Sequence, residues 1–181
     1  MTRLMMMALV TALTSTPAGS EEPAPALGEP APAELVQRWD LSVFADGRGL
    51  PAGSGDAASG KKIYERHCIA CHAAGGAGAS GDRLGRAEMG LTDEYPQKTI
   101  ANFWPYATTL FDFIRRSKPF NNPGSLSNDE VYALTAYLLS LDGVIPEDTV
   151  MGRETLLEVI MPNADGFIDV WQGDTMNSEP R

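Results

Sequence analysis

Residues 63–75 read IYERHCIACHAAG, and this stretch holds both cysteines and both histidines of the 181-residue chain. Cys68, Cys71 and His72 form C-x-x-C-H. On one turn of helix, two thiols at that spacing can add across the two vinyl groups of a haem, and the adjacent His72 is carried beneath the iron. Rival uses of the same residues fit less well. A structural zinc site draws four donors from two distant pairs, whereas here every Cys and His lies between His67 and His72. A thioredoxin-like redox pair expects a βαβ context, which the flanking pattern lacks. A disulfide between cysteines this close staples little. The expectation is one haem c, tethered by Cys68 and Cys71, with His72 as its proximal iron ligand. His67, one residue before Cys68, does not easily reach the same iron and reads as an exposed or propionate-side residue.

Outward from the motif the pattern is helical. A helix is expected from Ser59, which can cap it, with Ile63 and Tyr64 on its apolar face, and HAAGGAGASGDRLG then opens a long loop. NFWPYATTLFDFIRRS reads as a second helix starting near Pro105, with Leu110, Phe113 and Ile114 at i, i+3, i+4. The clearest helix is SLSNDEVYALTAYLLSLDG. Ser127 and Glu130 make a capping box, Val131, Leu134, Thr135 and Leu138 share one face, and Gly143 stops the helix. No alternating strand run stands out, so the fold class expected is all-α: three helices with long loops wrapped around the haem. Ile69, Leu84, Trp104, Leu110 and Phe113 are the candidates to pack it.

The N-terminus MTRLMMMALVTALTSTPAGS has the Arg3, short apolar run and small residues of an export signal cleaved before Glu21. That places the mature chain in the periplasm. Residues 21–33 are Pro/Ala-rich and read as a linker, residues 34–168 as the domain, and 169–181 as a tail. Residues 34–58 are expected to wrap the domain surface.

Formal charge is −10, and removal of Arg3 with the signal makes it −11. Residues 61–118 carry nine Lys or Arg against six Asp or Glu, while 119–181 carry two against eleven. No basic run suggests nucleic acid. The asymmetry suits docking to a protein partner, with Lys61, Lys62, Arg66, Arg115 and Arg116 as candidates, although Arg115 and Arg116 could equally satisfy helix-end carbonyls or haem propionates.

The second axial position decides the function class. A Met thioether there gives a closed electron carrier, and an open position invites ligand or peroxide chemistry. No Met occurs between Gly90 and Val150. After signal removal Met89, Met151, Met161 and Met176 remain. Met161, in VIMPNADGF, is the best placed, because the nineteen residues from Asp142 to Ile160 give ample reach at roughly 3.3 Å per extended residue. Met151 reads as surface, Met176 lies near the chain end, and Met89 is a lesser rival. Lys118, in SKPF, is the specific alternative to a methionine, and an open site is another.

NFWPYATTLFDFIRRSKPFNNPGSLSNDEVYALTAYLLSLDGVIPED, followed by MPNADGF, resembles the SoxD-type cytochrome subunits of the Sox sulfur-oxidising system. The resemblance reaches forward through WDLSVFADGRGLPAGSGDAASGKKIYERHCIACH and covers residues 34–168. It implies a class I cytochrome c fold, with Cys68 and Cys71 as tethers, His72 as proximal ligand and Met161 as the late methionine. It also implies a molybdenum sulfite or sulfane dehydrogenase subunit as electron donor and a further c-type cytochrome as acceptor. Molybdenum and substrate would belong to the partner, and this chain would transfer electrons rather than catalyse by itself. Two departures matter. Where the family often has a second Met-Pro after the Arg-Arg pair, this chain has Lys118 before Pro119. Many members also carry a second haem domain, and this single C-x-x-C-H corresponds to the first. Other readings are an electron-transfer module of a different dehydrogenase, or an open-site haem sensor.

Overall fold

A computed structural model of the chain describes residues 28–168. Its centre is α6 (Asn128–Ser140), which begins at the expected box: Ser127 Oγ accepts from Glu130 N at 3.3 Å, and Glu130 Oε2 accepts from Ser127 N at 2.9 Å. Every residue from Val131 to Leu139 is buried. The sequence indicates one apolar face, but the fold surrounds the helix, adding Tyr132, Ala133, Ala136, Tyr137 and Leu139 to the core. Because the Ser127 hydroxyl accepts from an otherwise free first-turn N–H of α6, Ser127→Ala is expected to lower unfolding stability by about 1 kcal/mol. A urea midpoint at the wild-type value would contradict that.

The partner of α6 is α2 (Ala57–His67). Its cap is Asp56, whose carboxylate accepts from Ser59 N at 2.7 Å; the cap therefore lies three residues before the expected Ser59. The two helices approach closely where α2 has no side chain. A Cβ on Gly60 would fall 1.9 Å from the Ala133 carbonyl oxygen, and in the extended segment just before α2 one on Gly55 would fall 2.6 Å from Ala133 Cβ.

On another side of α6 lies α5 (Ala107–Ser117). Its Leu110 and Ile114 are buried as expected, whereas Phe113 is 41% exposed. Buried Asp112 accepts from Val43 N at 2.8 Å and pairs with Arg116. Arg115 Nη1 donates to Leu41 O at 3.1 Å, and Tyr132 OH donates to Pro51 O at 2.9 Å. These bonds tie the 41–51 strap over the domain, as expected of a wrapping segment. They also fix what Arg115 and Arg116 do: one holds a strap carbonyl, and the other pairs within its own helix.

The strap is preceded by α1 (Ala33–Trp39), none of whose residues is buried. The expected linker thus ends in the first residue of a helix. The expected signal (1–20), the linker residues 21–27 and the tail (169–181) lie outside the described residues.

A strand pair was not expected from the pattern. Residues Ser54–Asp56 (β1) and Val150–Gly152 (β2) run antiparallel, with Gly55 opposite Met151. Three-residue strands are too short to show period-two alternation. The pairing buries Met151 completely, which corrects its reading as a surface residue. After β2, α7 (Arg153–Leu157) adds Leu156 to the core. The chain then returns to α4 (Ile100–Phe103), where Asn163 Nδ2 donates to Phe103 O at 2.7 Å and Phe103 meets Phe167 edge-on at 5.6 Å. The described residues form a mostly helical domain, and no helix among them is long and apolar enough to cross a membrane.

Candidate haem site

The C-x-x-C-H segment is held as one tight turn. Cys68 ends α2, donating its N–H to Tyr64 O at 2.8 Å, and opens α3 (Ile69–His72). Cys71 N and His72 N both donate to Cys68 O, at 3.1 and 3.0 Å. The chain then reverses through Ala73 at φ 57°, a left-handed φ that L-residues seldom adopt. Tyr64 OH donates to Ala73 O at 2.7 Å, anchoring this corner to α2.

His72 is oriented by the loop that follows. Its Nδ1 lies 2.7 Å from Asp82 O. A carbonyl oxygen only accepts, so Nδ1 carries the proton and Nε2 is left with its lone pair, the form a metal requires. Gly81 makes this approach possible: a Cβ there would sit 2.8 Å from His72 Cε1, and Gly81 N donates to Cys71 O at 2.8 Å.

Cys68 and His72 line a cavity of about 370 Å³, within the range of cofactor sites. Its apolar wall is Leu110, Phe113 and Ile114 of α5 with Leu134 and Leu138 of α6, closed by Leu84 and Trp104. Arg83, Lys98 and Lys118 bring positive charge to the same lining. The donor set and shape fit haem c: the Cys68 thiol in the lining with the exposed Cys71 thiol one turn on, outside the lining, an imidazole with an available nitrogen, an apolar slot for the ring and cations for the propionates. Among the described residues no three His, Cys, Asp or Glu side chains converge as a metal site, so the zinc alternative lacks its donors. A larger groove of about 620 Å³ lies across Tyr64. It is lined by Lys61, Glu65, Arg86 and Glu147 and contains neither cysteine nor His72, so the smaller cavity carries the chemistry.

The other candidates are placed as follows. Leu84, Trp104, Leu110 and Phe113 line the cavity as expected, whereas Ile69 lines the outer groove. His67 is exposed. Met161 does not line the cavity; it is 2% exposed, covered by protein, and part of the core cluster. Met89 lines a separate shallow cavity beside Pro162, and Met176 lies outside the described residues. Lys118 does line it, with Nζ 4.6 Å from the Phe113 ring centroid. Burial pushes the Cys68 thiol above its ordinary pKa, and the Lys118 ammonium is near enough to oppose that shift. Sequence reasoning missed Arg83, Lys98, Thr99 and Phe103 as lining residues, because only the fold of the 75–99 loop and of α4 after it brings them to the motif.

Tyr64 supplies a pH test. Burial, then the neighbouring Cys68 and Tyr137, push its phenol up to about 12. The folded state therefore holds this proton more tightly than the unfolded one. Its stabilisation is complete below the unfolded pKa of about 10 and is lost as pH rises through 12. Tyr132 and Tyr137 shift the same way, also by burial. Tyr64→Phe is thus expected to flatten only part of the alkaline decline, measured by urea unfolding from pH 8 to 12. An unchanged slope would contradict the assignment.

A protein-family model described as Cytochrome c matches residues 57–142. A chain in the crystal structure of the sulfane dehydrogenase SoxCD from Paracoccus pantotrophus is 38% identical and superposes with a TM-score of 0.76, covering 87% of this chain and 80% of that one. No curated protein matches the chain in sequence. The fold and site thus define a class I c-type cytochrome, a carrier of single electrons on covalently bound haem. The chain belongs to the SoxD type of that family.

Proposed function

We propose that the chain is the cytochrome subunit of an exported sulfur-oxidising complex. In this reading it receives electrons from a molybdenum-containing sulfite or sulfane dehydrogenase subunit and passes them to a further c-type cytochrome. The observation that carries it is the 38% identity over 87% of the chain to a chain of the sulfane dehydrogenase. The haem, when bound, supplies the one-electron Fe(III)/Fe(II) couple. Cys68 and Cys71 would tether it, His72 would offer Nε2 to the iron, and Lys98, with Arg83 beside it in the lining, would be available to its carboxylates. The apolar side chains of α5 and α6 would pack against the ring. Lys61, Lys62 and Arg66, exposed on α2 just before the motif, offer a cationic surface to an acidic partner, whose encounter rate would fall with salt.

A periplasmic location is supported by residues 1–20; a mature protein beginning at Glu21 by mass is the expected result, and a retained Met1 would count against export. For function, the holo-cytochrome is co-expressed with a molybdenum dehydrogenase subunit, and sulfite or thiosulfate is added anaerobically. Reduction of the haem in the joint preparation, and not in the cytochrome alone, is expected. A haem that stays oxidised with both substrates would sink the reading.

A further inference from the structure

We propose that Lys118 Nζ is the second axial ligand of the haem iron, so that two nitrogens, from His72 and Lys118, hold it. This rests on the cytochrome reading above. Among the described residues, no methionine lines the cavity that contains Cys68 and His72. Met161, the expected ligand, is enclosed by core side chains, and Pro162 after it faces a different cavity.

Lys118 is built into the site. It caps α5, donating its N–H to Ile114 O at 3.0 Å. It thereby continues the helix face whose Leu110, Phe113 and Ile114 form the apolar wall. Pro119 beyond it is buried, which fixes where the side chain starts. Its stem is half-buried, and its amine lies over Phe113, itself packed edge-on against Trp104 at 5.6 Å inside the same cavity. Lys98 is the only other lining lysine; it is exposed and lies over Phe103 at 4.7 Å, a rim position suited to a propionate. As the neutral amine, Lys118 has one lone pair to give, and a nitrogen donor leaves the iron at a lower potential than a thioether does.

The full chain is matured with haem, and its oxidised absorption and electron paramagnetic resonance spectra are compared with those of Lys118→Ala, Lys118→Met, Lys98→Ala and Met161→Leu. The wild type is expected to be low-spin without the far-red thioether-to-iron band. Lys118→Ala should lose the low-spin signal and bind added imidazole, whereas Lys118→Met should gain the far-red band and a higher potential. Lys98→Ala and Met161→Leu should retain the wild-type spectrum. Three results would overturn the proposal: a low-spin signal unchanged in Lys118→Ala, a wild-type far-red band that Met161→Leu removes, or a high-spin wild type. A wild type without haem would overturn the cytochrome reading beneath it as well.

Discussion

The double variant Cys68→Ser/Cys71→Ser is expected to lose all covalently bound haem, read as the disappearance of haem stain from the denatured polypeptide on a gel. A hydroxyl at either position cannot form the thioether, and the chain has no other cysteine to substitute. Cys71→Ser alone should keep a single thioether, because Cys68 still lines the cavity. The effect extends to stability. Leu110, Ile114, Leu134 and Leu138 contribute one wall of the cavity and the core behind it, so loss of the ring exposes apolar surface at about 25 cal/mol per Å². The unfolding midpoint should fall together with the stain. Haem that survives denaturation in the double variant would show that these thiols are not the tethers.

Gly60→Ala is expected to cost about 3 kcal/mol, a large stability loss for adding a single methyl group. Two effects oppose each other. Inside a free helix, Gly→Ala gains roughly 0.5–1 kcal/mol from backbone entropy. Here the added Cβ would meet the Ala133 carbonyl oxygen at 1.9 Å and the Tyr137 Cβ at 2.8 Å. The first is backbone in the middle of a buried helix, so no rotamer change relieves it. The helices must separate, and the loss of packing along their whole contact outweighs the entropy gain. Gly152→Ala is the matched control, because its nearest neighbours would be at ordinary contact distances of 3.5 and 3.8 Å. Equal denaturation midpoints for Gly60→Ala and wild type would mean that α2 and α6 are not in this close register.

The features readable from sequence are those written in short, contiguous spacing. The tethering motif, the Ser127–Glu130 box and the apolar spacing of α5 each depend on residues within a turn or two, and each is found where expected. The misplacements share another cause. Asp56 takes over as cap from Ser59 because β1 delivers the chain to α2 in an extended conformation. Met151 is buried because β2 pairs with a strand almost a hundred residues earlier. Met161 has reach enough for a haem, but reach alone does not choose a destination, and Asn163 secures that segment to α4.

By itself the sequence determined the cofactor class and pointed to Cys68, Cys71 and His72 as the residues to hold it, since C-x-x-C-H spacing is complete within one helical turn. Only the tertiary structure decided which side chains surround that turn. It enclosed Met161 in the core and placed Lys118 at the cavity, because long-range burial, unlike local spacing, is settled by what every other segment leaves uncovered.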